Sequence, residues 1–186
     1  MKKLPSNFEI NKYGLYARLA NEKDSEFILE LRTSNHTRFM HDISNDLSRQ
    51  IEWMKQYKER EKNGLDYYFI FYKDDVPIGV NRIYDINGKE FSTGSWTFSQ
   101  TAPFGAAFLA QVICREIAFD ILGFEYEKDP IGVHVDNTSV LKYNYMVGLK
   151  EIGRVTIDKG EYVSLGLNKN DFEKGKELTL KIARIK

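Results

Sequence analysis

The sequence contains little cysteine and proline, and it carries no excess of charge of either sign. Of its 186 residues one is Cys and 4 are Pro, and 27 basic residues balance 27 acidic ones. The single cysteine, Cys114, cannot form an internal disulfide, which favours a reducing cytoplasm as the location of the protein. Proteins that bind nucleic acid usually present a basic face, so the even balance of charges argues against DNA or RNA as a partner.

Long apolar runs and metal-binding spacings are also missing. No apolar segment approaches the roughly 20 residues of a membrane helix, and the lysines near the N-terminus are followed by no apolar stretch of the signal-peptide kind. The three histidines, His36, His41 and His134, are scattered, and there is no Cys pair that would complete a zinc site. We therefore expect a cytoplasmic protein with no membrane partner and no metal.

What the sequence does contain is the composition of a globular protein, with 42% hydrophobic and 29% charged residues. Because no repeat or Pro/Ser-rich linker interrupts it, residues 1–186 are expected to form one domain. The order of the periodic segments predicts an α+β fold. Predicted strands cover 16–19, 67–72, 76–85, 90–98, 131–135, 151–157 and 162–167, and predicted helices follow Asn21 and Ser44 and cover 106–122 and 137–147.

Two dipeptides with glycine predict where elements end. Asn63-Gly64 is expected to close the second helix, since glycine readily adopts the left-handed conformation at helix C-termini. Asn87-Gly88 lies between two predicted strands. We expect a type I′ hairpin turn there, because both residues tolerate positive φ.

A short loop, residues 100–105, joins a predicted strand to a helix with small residues in its first turn. Gly105, Ala106 and Ala107 lack bulk, so a charged group can approach the main chain. The first amides of a helix have no partner within it, and the helix dipole adds positive potential at the same point. This arrangement predicts a phosphate-binding site. The alternative interpretation is an ordinary helix start.

Four short motifs occur in order, each on its predicted element. They are Pro77-Ile78-Gly79, Gln100-x-x-Pro103-x-Gly105-Ala106, Val133-x-x-x-Asn137 and Gly148-Leu149. Together with the order of elements they resemble the GNAT acetyltransferases, which have Gln/Arg-x-x-Gly-x-Gly/Ala and Gly-Phe as the second and fourth motifs. The resemblance covers nearly the whole chain. It implies a single-domain fold with a mixed, mostly antiparallel sheet of about seven strands, flanked by about four helices and splayed between strands four and five.

The resemblance also implies that acetyl-CoA is the cosubstrate and that an amine attacks it directly. In the family the second motif holds the pyrophosphate, and the pantetheine arm extends the strand before it. Pro103 replaces the first glycine of that motif and cannot donate a hydrogen bond. The residues implied in binding acetyl-CoA are Trp96, Thr97, Phe98, Gln100, Pro103, Phe104, Gly105, Ala106, Ala107, Asn137 and Asn144.

The catalytic groups are expected on or next to the helix that follows the Asn137 position. The family often has a tyrosine seven residues later, which protonates the leaving thiolate. Asn144 stands there, and its amide can donate a hydrogen bond but cannot act as an acid at pH 7. Tyr143 and Tyr145 are alternative donors, with helix packing as the other interpretation. His134 is a candidate base because histidine titrates near neutral pH; packing in its strand, the other two histidines and a relayed water are the alternatives.

The acceptor is expected to be a small-molecule amine. Residues 31–40, 43–44 and 51–53 are similar to GNAT enzymes that acetylate nucleotide-linked amino sugars for surface glycans. Acetylation of protein N-termini, as by ribosomal-protein acetyltransferases, is a second interpretation, and a non-catalytic acyl-CoA-binding module is a third. Exposed sheet edges also favour a homodimer. Because aromatics stack on bases and sugars and arginine binds diphosphates, the implied substrate-binding residues are Arg32, Phe39, Met40, Arg82, Tyr84 and Trp96.

Overall fold

The computed structural model describes residues 2–34 and 45–183, which form one mixed sheet with helices on both of its faces. Within these ranges the strands are β1 (Glu9–Lys12), β2 (Leu15–Leu19), β3 (Tyr67–Lys73), β4 (Val76–Asn87), β5 (Glu90–Phe98), β6 (Tyr126–His134), β7 (Lys150–Ile157) and β8 (Gly160–Asn168). The helices are α1 (Ser25–Thr33), α2 (Leu47–Asn63), α3 (Ala106–Glu116), α4 (Thr138–Met146) and α5 (Lys169–Ile182). A 3₁₀ turn, Glu22–Asp24, precedes α1, and a π-helical turn, Ile117–Leu122, extends α3.

The strands lie in the order β1-β2-β3-β4-β5-β6-β8-β7. The pair β5–β6 is parallel and the other pairs in the described chain are antiparallel. This arrangement confirms the predicted α+β class and the mostly antiparallel sheet. The described residues hold eight strands and five α-helices rather than about seven and four, because β1 and α5 were not predicted.

Strand β1 was not predicted because it contains a single apolar residue, Ile10, and therefore shows no alternation of apolar and polar residues. It pairs with β2 through a tight turn at Tyr13-Gly14, where both residues have positive φ (55° and 76°). Positive φ at both central residues is the type I′ pattern. Tyrosine rarely takes this conformation, so the sequence gives no hairpin signal at this point.

The last helix carries a glycine in its interior, which weakens a helical pattern in the sequence. At Gly175 a Cβ atom would lie 2.1 Å from the carbonyl oxygen of Val147. The chain after α4 therefore passes so close to α5 that only glycine fits. Asn168 caps α5 by accepting a hydrogen bond from the Asp171 amide at 2.9 Å.

The predicted turn at Asn87-Gly88 is present, but its predicted type is wrong. Asn87 pairs with Glu90 as the last residue of β4, so the central residues are Gly88 and Lys89. Only the first of these two has positive φ, at 60°. Positive φ at the first central residue alone is typical of a type II′ turn, which also suits the twist of a hairpin.

The sheet buries a core on each face, and β3 lies between the two. Its alternate side chains point to opposite faces. One face packs against α3 and α5, and the other packs against α1 and α2. The first core includes Tyr67, Phe69, Phe71, Leu109, Ile113 and Phe172, and the second includes Ile28, Met54, Tyr57, Tyr68, Ile70 and Val80.

The sheet splits between β5 and β6. These strands pair only at Glu90–Tyr126 and Phe91–Glu127, and they have no ladder pairs after that point. The predicted separation of strands four and five is therefore found, with the strands renumbered by the unpredicted β1. None of the described helices has the length and apolar character needed to cross a bilayer.

Candidate functional site

The separation of β5 from β6 leaves a cleft of about 190 Å³ in the middle of the sheet. Residues 93–96 of β5 form one wall, and residues of β6 and β8 form the opposite wall. Helices α3 and α4 complete the lining with Gln111, Arg115, Asn137, Val140 and Asn144.

A bulge interrupts β5 on the wall of the cleft. Its pairing with β4 steps from Thr97 to Gly94, so that two residues of β5 lie opposite a single residue of β4. One of the two, Ser95, has a φ of 52°, which is uncommon for a residue with a side chain. Since a bulge leaves its extra residue out of the ladder, the main chain of β5 is released from β4 where it borders the cleft.

The loop after β5 leads to the N-terminus of α3, where several amides are unused. The Ala106 amide donates to the carbonyl oxygen of Pro103 at 3.0 Å, and the Leu109 amide makes the first bond of the helix, to Gly105 at 2.9 Å. Within the described chain we find no hydrogen-bond partner for the amides of Phe104, Gly105, Ala107 and Phe108. Free amides at a helix N-terminus, aided by the dipole, suit a phosphate group.

Packing also contributes to the small size of the residues in this loop. A Cβ atom at Gly105, where φ is 89°, would lie 2.8 Å from the carbonyl oxygen of Ala183. Ala106 is fully buried in the core. The chain at the end of α5 therefore requires glycine here whether or not a diphosphate binds, whereas Gln100 and Phe104 are exposed.

Comparison with solved structures decides the family. The structure described as apo FdhC, a nucleotide-linked sugar GNAT, is 31% identical over 95% of this chain and 99% of its own, with a TM-score of 0.78. The chain belongs to the GNAT family. Two further structures share its fold. A ribosomal-protein-S5-alanine acetyltransferase from Vibrio fischeri is 14% identical over 89% of this chain and 99% of its own, with a TM-score of 0.75. Mycobacterium smegmatis RimJ in complex with CoA-disulfide is 14% identical over 93% of this chain and 91% of its own, with a TM-score of 0.75. No protein-family model and no curated protein matches the sequence.

The GNAT cleft is closed at its aromatic end by Trp96. Its indole Nε1 donates to the carbonyl oxygen of Ala107 at 2.8 Å, and its ring lies 5.3 Å from that of Tyr143, which stacks on Phe108 at 4.6 Å. These contacts fix the start of α3 against α4. Of the residues of β5 predicted to bind acetyl-CoA, only Trp96 lines the cleft, while Thr97 is buried.

The fourth helix presents its asparagines to the cleft and its tyrosines elsewhere. Asn137 and Asn144 line the cleft, and neither makes a side-chain hydrogen bond to a described residue. Burial raises the pKa of Tyr143 to about 12, and the side chain of Tyr145 is on the surface, 45% exposed. Successive helical residues point about 100° apart, so Tyr143 and Tyr145 cannot share the direction of Asn144. The structure places neither tyrosine in the cleft lining.

The ring of His134 lines the cleft, but both of its nitrogens contact the main chain. Nδ1 accepts a hydrogen bond from the Asp136 amide at 3.1 Å, and Nε2 lies 3.1 Å from the carbonyl oxygen of Lys159. The ring also contacts Tyr162 edge-on at 5.0 Å between centroids. These contacts hold the His134 ring in place at the end of β6. Its predicted role as a base remains a prediction.

Of the predicted acceptor residues that the structure describes, Trp96 lines the cleft, and Arg82 lies on the face covered by α1 and α2, next to Trp53. Arg82 binds the buried carboxylate of Asp66 through Nε (2.7 Å) and through a second nitrogen, and its guanidinium stacks on Trp53 (5.1 Å) and Tyr84 (4.7 Å). Two of the hydrogen-bond donors of the Arg82 guanidinium are thus already used by Asp66. Arg32 lies in the last turn of α1. Phe39, Met40, His36 and His41 lie outside the described residues.

Sequence reasoning missed a buried polar network at the point where the sheet splits. Arg115 Nε donates to Glu127 at 2.7 Å, with both side chains 2% exposed, and the Thr93 hydroxyl donates to the same carboxylate at 2.6 Å. The side-chain oxygen of Gln111 is buried with no partner in the described chain. An arginine inside the apolar pattern of α3 was the available signal, because an arginine is rarely fully buried without a partner.

A second carboxylate, Asp129, lines the cleft two residues beyond Glu127 and was also missed. Burial raises its pKa to about 6, and the charges of Glu127 and Asp85 act in the same direction. No salt bridge reaches it from the described residues. The predicted strand 131–135 began too late to include this residue, so its position in the sheet was not recognised.

Proposed function

We propose that this GNAT protein is an N-acetyltransferase that transfers the acetyl group of acetyl-CoA to the primary amine of a nucleotide-linked amino sugar, within a ternary complex. The observation that carries the acceptor class is the 31% identity with a nucleotide-linked sugar GNAT along nearly the full length of both chains. The ribosomal-protein-S5-alanine acetyltransferase and RimJ are each 14% identical to this chain.

The residues of the site fit coenzyme A as a cosubstrate. The free amides at the start of α3 suit its diphosphate, and the cleft between β5 and β6 suits its pantetheine arm. Three polar side chains that line this cleft, Gln111, Asn137 and Asn144, have hydrogen-bonding capacity unused by described residues. Buried polar groups are normally satisfied, so a ligand with amide groups would complete them.

The chemistry needs a donor for the thioester oxygen and a partner for the leaving sulfur. The released main chain at the bulge of β5 would supply the first, since a backbone amide requires no particular side chain. Asn144 would supply the second as a hydrogen-bond donor, and the thiolate would take its proton from water. Arg82, Trp53 and Tyr84 would border the acceptor through guanidinium and aromatic contacts.

The test is release of CoA thiol from acetyl-CoA with a panel of nucleotide-linked amino sugars, N-terminal peptides and no acceptor, alongside calorimetric binding of CoA. We expect turnover with one or more of the sugars. Turnover with peptides alone would contradict the acceptor class, and CoA binding without turnover on any amine would indicate a binding module. Absence of CoA binding would contradict the whole proposal.

A further inference from the structure

Asp129 is the one carboxylate in the cleft lining, within the described chain, that is not committed to a cation. The other, Glu127, is tied to Arg115 and Thr93. Asp129 lies on β6, across the split from the bulged segment of β5. The part of β5 that borders the cleft contains no acidic residue.

A second bulge, on β6, holds this carboxylate. The pairing with β8 steps from Asp129–Leu165 to Val133–Val163, so three residues of β6 lie opposite Ser164 alone. The Ser164 hydroxyl donates to the carbonyl oxygen of Pro130 at 2.5 Å. Within this bulge the Gly132 amide turns back and donates to Asp129 Oδ1 at 2.7 Å.

Only glycine can complete that bulge. Gly132 has a φ of 76°, and a Cβ atom there would lie 1.8 Å from the carbonyl oxygen of Val163. The fold thus fixes one oxygen of Asp129 with a main-chain amide, and among the described residues no cation pairs with the carboxylate. A carboxylate that is oriented by main-chain amides, and that no described cation neutralises, is suited to accept a proton.

We propose that Asp129 is the general base that removes the proton from the acceptor amine, an inference that rests on the acetyltransferase function proposed above. The amine nitrogen forms a bond to the thioester carbon, and its proton passes to the Asp129 carboxylate. The C–S bond then breaks, and the CoA thiolate takes up a proton from water. Asp129 returns its own proton to solvent after the amide product leaves.

The electrostatic surroundings support this role. The groups that act on the carboxylate are Glu127 on its own strand, Asp85 and Tyr84 on β4, and the amides of Ile131 and Gly132. Glu127 is itself paired with Arg115 of α3, and Arg82 of β4 is paired with Asp66. His134 and Tyr162 complete the titratable lining. Burial is the largest cause that raises the pKa of Asp129 to about 6. Asp129 is therefore ionised at neutral pH, and its pKa is close to the range that suits a general base.

The test compares Asp129→Asn and Asp129→Glu with the control Asp85→Asn, a nearby exposed carboxylate whose positive φ asparagine tolerates. We expect D129N to lower kcat by about 100-fold or more, with the affinity for CoA unchanged by calorimetry. The wild type should lose kcat/KM below about pH 6, and D129N should lack this acid limb. D129E should retain part of the activity, and D85N should stay within about threefold of the wild type.

A readout without turnover accompanies the kinetics. A raised pKa means that the ionised carboxylate destabilises the folded protein above about pH 6. Below about pH 4, the pKa of the carboxyl group in the unfolded chain, the group is protonated in both states and this cost disappears. D129N should therefore raise Tm at pH 7.5, and the gain should shrink as the pH falls to 4. If D129N kept both kcat and the acid limb, the role of Asp129 as the base would be overturned, and the proposed acetyltransferase function would stand. A wild type inactive on every amine would overturn the proposed function and this inference with it.

Discussion

The two walls of the cleft offer chemistry of different kinds. The wall formed by β5 and the loop after it offers main-chain groups, through a bulge at Ser95 and free amides at the start of α3. The wall formed by β6 offers side chains, among them Glu127, Asp129 and His134. Main-chain groups place few demands on residue identity, whereas each side chain has a role that one substitution can remove. The two walls can therefore be separated by experiment.

The largest expected effect is a loss of stability at the buried ion pair Arg115–Glu127, where the two walls meet. Arg115→Met leaves a buried carboxylate without its cation, which costs about 3–5 kcal/mol of the free energy of unfolding. Urea denaturation measures this loss. The double variant R115M/E127Q should recover most of it, since the charge is then gone. A double variant as unstable as the sum of the two single variants would show that the pair contributes nothing as a pair.

On the β6 wall, Gly132→Ala tests whether the bulge depends on glycine. The substitution forces positive φ on alanine and drives Cβ into the Val163 carbonyl, so we expect a loss of about 2 kcal/mol in unfolding free energy. The matched control is Gly153→Ala on β7, where no atom lies within 4 Å of the new Cβ, and it should change stability little. Equal effects of the two substitutions would contradict the close approach at Gly132.

On the β5 wall, Ala107→Pro removes an amide and leaves the fold intact, because proline is tolerated in the first turn of a helix. The amide has no partner in the described chain, so its loss should affect the ligand rather than the protein. We expect the affinity for CoA to fall by about tenfold, as for one hydrogen bond to a charged group. Calorimetry measures it, and Ala107→Gly, which keeps the amide, is the control. Equal affinity in all three proteins would place the diphosphate elsewhere.

Sequence reasoning predicted the fold better than the site. Periodicity located the central strands and α2, and Gly64 ends that helix in the left-handed conformation as predicted, with φ of 77°. It missed α5 because Gly175 weakens the helical pattern, and β1 because one apolar residue gives no period. The unpaired amides at the start of α3 could be predicted, because free amides follow from any strand–loop–helix junction.

Asp129 could not be predicted, because its place depends on an irregularity in pairing. Residues 130–132 break the alternation of β6, so a two-residue period assigns them to a loop. The buried partner of Arg115 was equally invisible, since Glu127 approaches it only when α3 packs on the sheet. Local patterns in a sequence do not specify which distant strand supplies a side chain to a cleft.

The smallest expected effect is that of replacing His134, which distinguishes its role from that of Asp129 on the same wall. His134→Gln should leave kcat/KM within about threefold of the wild type and keep its acid limb, because both ring nitrogens already contact the main chain at Asp136 and Lys159. The pH profile with the preferred acceptor measures this. The same substitution should lower Tm slightly, since it removes the edge contact with Tyr162. A loss of about 100-fold together with the acid limb would make His134 the base, and Asp129 would then only shape the cleft.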